Sequence, residues 1–317
     1  MKVAVTGAAG FIGKAVLRRL REAGHSCLAV TRRAGEGGDL VIPDLADTPI
    51  PASALAGVSA VIHLAGASAV PDRADASQTR EWITNVEGTK AVARAAVRAG
   101  VKRIVFVSSI KAMREASLPG AALAAEASAE PTSAYGKSKL AAEHGVMAAC
   151  ENTATAWTIV RPPLVYGIGS GGNFALLVRL VQSGVPLPFG AVANSRTLIH
   201  VDNLADLLVL ACFDPALAGQ VALPGDATLS TPDLLAAIAA ACGKRVSLIK
   251  VPLAALHGLA AVVGQSERFR RLTDSLAIAG GSSVPGDWTP PLPFADALAR
   301  SLACIPSGST TALPIAD

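Results

Sequence analysis

The chain has 317 residues, 51% hydrophobic and 16% charged, with a formal net charge of +4. This balance excludes a disordered chain, and a mild, dispersed positive charge gives no reason to expect a nucleic-acid partner. The most apolar stretch, residues 251–263, contains His257 and Gly258 and falls short of the ~20 residues a membrane span needs, so no membrane is expected as a partner. Short apolar runs at 2–6, 26–31, 59–64, 103–108 and 156–161 read as strands, and helical patterns cover 11–23, 77–99 and 134–150. Strands and helices alternating in this way predict a doubly wound parallel sheet of Rossmann type, with helices on both faces. From Arg161-Pro-Pro163 to residue 196 the pattern is irregular and rich in Gly and Pro. A strand–helix unit returns over 197–213, and a helix is expected over 231–242 behind Thr231-Pro232, a good cap and first turn. Residues 282–293 read as a loop and 305–317 as a frayed tail, with no internal repeat. The expected α/β organisation is therefore a dinucleotide-binding domain over 1–165 that regains 195–222, and a smaller C-terminal substrate-binding part formed by 166–194 and 223–317.

The five cysteines, at 27, 150, 212, 242 and 304, make no Cys-x-x-Cys pair, which suits reduced thiols in a cytoplasm and no metal site. No charged and then apolar leader precedes Val3, which is in keeping with that location.

Directly after the first strand stands Thr6-Gly-Ala-Ala-Gly-Phe-Ile-Gly13. Gly7, Gly10 and Gly13 allow a tight turn, a close approach to a pyrophosphate and close helix–strand packing, while the helix from Phe11 and Ile12 offers free N–H groups and a positive dipole end. The second strand ends in Thr31-Arg32-Arg33 and carries no acid there, a pattern that favours a ribose 2′-phosphate, hence NADP, over the free 2′-hydroxyl of NAD. Asp44-Leu45 is placed to meet the adenine, and His63-Leu64-Ala65-Gly66 ends the next strand beside the middle of the cofactor, His63 itself reading as structural.

Tyr135-Gly-Lys-Ser-Lys139 sets a phenol and an ammonium one helical turn apart. A phenol has an unperturbed pKa of about 10, and a neighbouring cation favours its ionised form. Ser109, at the end of the strand before it, supplies a hydroxyl for the substrate oxygen, and Asn85 can bond backbone and water near the lysine. Proton transfer coupled to hydride transfer is the chemistry such a set serves.

Together with Asn85-Val-Glu-Gly-Thr89, Val107-Ser108-Ser109 and Arg161-Pro-Pro-Leu-Val-Tyr-Gly167, these motifs resemble an extended short-chain dehydrogenase/reductase, in particular the UDP-glucose 4-epimerase-like enzymes that modify nucleotide sugars. The likeness runs to about residue 215. It implies that Tyr135 exchanges a proton with a sugar hydroxyl, that Ser109 shares that hydrogen bond, and that Lys139 holds the nicotinamide ribose. It further implies that Ser108 borders the cofactor, that Pro162 and Pro163 wall the nicotinamide, and that Asn173 and Arg196 hold a UDP group, with Arg271 a second diphosphate clamp. A homodimer pairing the helices at 77–99 and 134–150 is implied as well.

The sequence also departs from those patterns. The Asp-Glu pair of sugar 4,6-dehydratases is replaced by Ile110-Lys111, which removes their acid and base. Lys111 is still near enough to touch substrate, and a lysine there serves as a base at C5 in inverting dehydratases. Thr31 in place of an acid, and Ser68 in place of a basic residue, suit an exchangeable NADP better than a trapped NAD. Two activities on a UDP-sugar are open: a 4-epimerase, and an NADPH-dependent 4-ketoreductase like those forming UDP-N-acetylquinovosamine for bacterial surface polysaccharides. A non-catalytic NADP-binding sensor is the third alternative, which the retained Tyr135, Lys139 and Ser109 disfavour.

Overall fold

The computed structural model describes residues 1–117, 121–262, 264 and 266–303, so the expected tail at 305–317 and Cys304 lie outside the described residues. In chain order the first half holds β1 (Lys2–Thr6), α1 (Phe11–Glu22), β2 (Ser26–Thr31), β3 (Leu40–Val41), β4 (Val58–His63), α2 (Arg80–Ile83), α3 (Thr89–Arg98), β5 (Arg103–Val107), α4 (Ala134–Cys150) and β6 (Ala156–Val160). There follow β7 (Leu164–Tyr166), α5 (Gly172–Ser183), β8 (Arg196–His200), α6 (Val201–Ala211), β9 (Gln220–Ala222) and β10 (Ala227–Leu229). The chain closes with α7 (Thr231–Ala241), α8 (Leu253–Val262), α9 (Ser266–Thr273) and α10 (Phe294–Ala303).

Seven strands form one parallel sheet in the order β3-β2-β1-β4-β5-β6-β9. Both faces are covered, and the side-chain alternation of a strand divides the core accordingly. Val3, Val5, Ile62, Val105 and Val107 pack with α1 and α6, whereas Ala4, Val61, Ile104 and Phe106 pack with α3 and α4. From β1 the chain builds outward to β2 and β3, then returns to β4 on the other side. That reversal opens a crevice at the carboxyl ends of β1 and β4, where ligands of such sheets bind.

Three expectations need correction. The single helix at 77–99 is a 3₁₀ turn (Ala76–Gln78), α2, a π-helical turn (Thr84–Gly88) and α3 in succession. The π turn carries Asn85, and the residue it adds to the turn re-aims that side chain. The stretch 162–196, expected to be irregular, contains β7 and α5. Within the expected return at 195–222, β8 does not join the large sheet: it pairs with β7 and β10 in a separate three-stranded sheet, and α6 is the first element to pack back on α1. Three residues are too few for β7 or β10 to show a period, which is why the pattern hid them. The small sheet has its own core, with Tyr166, Phe174, Leu198, Leu235, Ile238 and Leu298 buried together. Among the described residues, no helix is long and apolar enough to cross a membrane.

Candidate active site

The glycine turn between β1 and α1 is crowded enough to exclude side chains. Gly7 has φ +68° and a Cβ there would lie 2.8 Å from the Ala65 nitrogen; a Cβ on Gly13 would lie 2.3 Å from the Gly7 carbonyl oxygen. α1 begins at Phe11 and Ile12 with no side-chain cap, so its first N–H groups are available to an anion. A cleft of about 500 Å³ opens beside this turn, walled by Gly7, Gly10, Leu45, Leu64, Ala65 and Gly66. Glycine backbone, exposed helix N–H groups and apolar walls fit a dinucleotide.

At the far end of the cleft the structure amends the reading of 31–33. Thr31 is buried, and its hydroxyl donates to the Arg33 carbonyl at 3.3 Å. Arg32 reaches the cleft wall, but Arg33 is not part of that wall. The chain then reverses through Gly35 (φ +85°) and Gly37 (φ +75°) and brings Glu36 to the same wall, where its carboxylate accepts the Arg33 N–H at 3.3 Å. An acid is therefore present at the cleft after all, supplied by a turn five residues beyond Thr31. The glycines around Glu36 were the available signal. Asp44 lines the cleft as expected, with its carboxylate paired to Arg80, which also binds Asp47.

Behind the turn runs a buried hydrogen-bond chain whose direction can be assigned. The Ala65 N–H donates to Thr6 Oγ1 (3.3 Å), leaving the Thr6 hydroxyl to donate to His63 Nδ1 (2.6 Å). Thr89 donates its hydroxyl to the Asn85 carbonyl (2.6 Å), so it accepts from His63 Nε2 (2.9 Å). His63 is thus a neutral Nε2–H tautomer, and burial, with the Lys139 charge adding to it, pushes its pKa down to about 3. The histidine bridges the glycine turn and the π turn, a structural role as the sequence suggested. Asn85 Oδ1 accepts the Ala67 N–H (2.7 Å), and its Nδ2 donates to the Ala67 carbonyl (3.2 Å) and to Ser138 Oγ (3.0 Å). It clamps the end of β4 to the helix that carries Tyr135.

Ser109 follows β5 and caps the 3₁₀ turn Ile110–Ala112, accepting the Lys111 N–H at 3.2 Å. Ser133 caps α4, accepting the Gly136 N–H at 3.0 Å, which places Tyr135 in the first turn and Lys139 one turn later. The structure brings Tyr135 close enough to Ser109 for the serine hydroxyl to favour the ionised phenol. Burial raises the Tyr135 pKa, the Ser109 hydroxyl acts in the opposite direction, and the Glu115 charge raises it further. The expected lowering by Lys139 is not what dominates here. The Lys139 ammonium is buried, donates to the Val107 carbonyl (2.8 Å) and stands 4.5 Å from the centre of the Phe106 ring. Burial pulls its pKa down to about 8, against the upward influence of Glu143.

Glu143, unremarked in the sequence, organises the floor of this site. It is fully buried, accepts from Arg161 Nε (3.0 Å) and Nη2 (2.6 Å), and accepts the Ser108 hydroxyl. Its position four residues after Lys139 was the signal available. Ser108 donates its hydroxyl to Glu143. The Pro162 carbonyl accepts the Ile110 N–H (3.0 Å), tying the Pro-Pro wall to the serine loop. Lys111 is paired with Glu115 at 2.6 Å, and Glu115 also accepts the Ser133 hydroxyl.

In the small sheet, Arg196 on β8 and Arg271 on α9 line one cavity together with Thr231 and Leu234. Arg196 Nη1 donates to the Asp274 carbonyl at 2.8 Å. The side chain of Asn173, at the start of α5, lies outside the described residues. Among the described residues, Ser109, Tyr135 and Lys139 wall neither this cavity nor the cleft, so the two arginines meet in one place and the hydroxyl–lysine group in another.

Comparison with known proteins agrees with this architecture. The chain is 33% identical over 285 residues to a UDP-glucose 4-epimerase of Vibrio cholerae, covering 87% of this chain and 86% of that protein. It is 31% identical over 305 residues to a ceramide reductase of Caulobacter vibrioides, covering 91% and 86%. Among solved structures, MoeE5 in complex with UDP-glucuronic acid and NAD superposes with a TM-score of 0.72 at 25% identity, covering 96% of this chain and 98% of that one. Residues 3–220 match the NAD dependent epimerase/dehydratase family, and with two thirds of its length inside that match the chain belongs to this family.

Proposed function

We propose that the protein catalyses hydride transfer at C4 of a UDP-hexose, acting as a 4-epimerase with a bound nicotinamide dinucleotide. The observation that carries this reading is the placing of Tyr135 beside Ser109 and one turn from buried Lys139, in a chain with the glycine-turn cleft and 33% identity to a UDP-glucose 4-epimerase. When bound, the nicotinamide supplies the acceptor and donor of hydride. Tyr135 takes the proton of the C4 hydroxyl and returns it, while Ser109 holds the same oxygen. Lys139 keeps the nicotinamide ribose in place and, with its pKa of about 8, carries a charge at neutral pH that favours the phenolate. Arg196 and Arg271, which line one small cavity, are the groups proposed to take the diphosphate. Asn85 and Glu143 hold the elements that present these groups. We further propose a cytoplasmic homodimer joined through α3 and α4.

A second reading, an NADPH-dependent 4-ketoreductase, is supported by Arg32 on the cleft wall, and a reductase stands among the relatives. Glu36 opposes it, since a carboxylate suits a ribose 2′-hydroxyl and repels a 2′-phosphate. One experiment separates the two: freshly purified protein is denatured and the nucleotide it releases identified. Stoichiometric NAD supports the epimerase, and UDP-glucose should then convert to UDP-galactose. Empty protein that binds NADPH more tightly than NADH supports the reductase and removes the epimerase.

A further inference from the structure

We infer that α8, with the basic segments on either side of it, is a docking surface for an anionic lipid bilayer. This helix reads Leu-Ala-Ala-Leu-His-Gly-Leu-Ala-Ala-Val and carries no Asp, Glu, Lys or Arg. Leu256 is its one buried residue among those whose side chains are described, while Leu253 is 38% and Val262 84% exposed. Four residues before Leu253, Ile249 is 51% exposed, and Val185 is 57% exposed on the segment to which Ile249 is tied by its N–H bond to the Leu187 carbonyl at 2.8 Å. Aliphatic side chains left in water over neighbouring segments mark a contact surface.

Length and charge select the occupant. Ten helical residues extend about 15 Å, roughly half the hydrocarbon thickness of a bilayer, so α8 lies along an interface and cannot span it. The inference departs from the expectation of no membrane partner, which rested on the length needed for a span and not on a helix lying in the interface. From 243 to 273 the sequence has six cationic residues (Lys244, Arg245, Lys250, Arg268, Arg270, Arg271) against the single acid Glu267. Arg245, Lys250 and Arg270 are exposed and form no ion pair among the described residues. An apolar helix flanked by cations matches acyl chains beneath anionic headgroups. A second copy of this chain would oppose one cationic face with another, which disfavours self-association through it. α9 is bonded to α8 through His257 Nε2 and Thr273 Oγ1 at 3.0 Å and carries Arg271 into the cavity with Arg196, so the surface adjoins the wall of that cavity. The inference does not depend on the reaction proposed above.

The test uses full-length protein and sedimenting vesicles, either of phosphatidylcholine alone or with one third phosphatidylglycerol. Binding at least tenfold tighter to the anionic vesicles, and weakened by salt, is the expected result. The double variant Leu253→Glu/Val262→Glu should lose that binding, and Lys250→Glu/Arg270→Glu should weaken it at least tenfold, with both keeping the wild-type thermal midpoint and turnover. Absence of binding to either vesicle would overturn the inference, as would binding that both variants retain. Sedimentation equilibrium without vesicles provides the remaining arm: a mass that falls on introducing Leu253→Glu/Val262→Glu would assign the surface to a second copy instead.

Discussion

In the seven-stranded sheet, candidate residues sit at strand ends or in the first turn of a helix: Gly7 after β1, Leu64 after β4, Ser109 after β5, Tyr135 opening α4. In the three-stranded sheet, Arg196 and Arg271 come from a strand and a short helix far apart in sequence and meet only because α9 folds back beside β8. The first region is held by a chain of directed hydrogen bonds and a buried ion pair, all internal to the fold. The second has small separate elements and, at α8, apolar surface turned to solvent. Under the proposed function, chemistry that needs fixed geometry falls on the first region and recognition on the region built from short pieces. Such a division lets one sheet serve many substrates.

Substitutions can break this comparison. Tyr135→Phe should lower turnover by about a hundred- to ten-thousand-fold, the usual worth of a positioned proton-transfer group, while dinucleotide binding followed by fluorescence titration stays near wild type. Retained turnover would remove Tyr135 from the chemistry. Glu143→Ala leaves the buried Arg161 guanidinium unpaired and should cost about 3–5 kcal/mol in urea unfolding. By contrast Arg196→Ala should raise KM for the UDP-sugar about tenfold and, losing one hydrogen bond to the Asp274 carbonyl, should cost only about 1 kcal/mol in urea unfolding. A large loss of stability there would mean the small sheet is as internally braced as the large one.

The cofactor end of the cleft gives a finer test. Glu36→Gln should weaken NAD relative to NADP, and Arg32→Ala should weaken NADP relative to NAD, each by about tenfold in competition binding. Equal effects on both cofactors would show that neither side chain meets the ribose. His63 gives an effect that depends on pH. Its folded pKa of about 3 lies below the ordinary 6.5, so below pH 6.5 the unfolded chain gains a proton that the native state refuses. Its contribution to stability is complete above that pH and declines by about 1.4 kcal/mol per unit as the pH falls toward 3. Unfolding midpoints of wild type and His63→Asn at pH 7 and pH 5 should therefore converge toward the acid side; parallel shifts would assign the acid sensitivity elsewhere.

Much of the nucleotide-binding half was legible in the sequence, because local rules decide it. Buried parallel strands must be apolar runs, the glycine turn tolerates no Cβ at Gly7 or Gly13, and a helix turn places Tyr135 and Lys139 together wherever α4 lies. Tertiary structure decided what depends on distant partners. A turn at Gly35 and Gly37 brought Glu36 to a cleft whose strand end has no acid, and the π turn aimed Asn85 at Ala67. Glu143 met Arg161 across a helix and a strand, and Tyr135 was raised by burial where its spacing to Lys139 alone suggested lowering. The strands β7 and β10 are too short to carry a period and exist through their pairing with β8. A spacing in sequence can report which groups share a turn, but burial and the partners that cross the fold set their charge and direction, and those are properties of the folded chain.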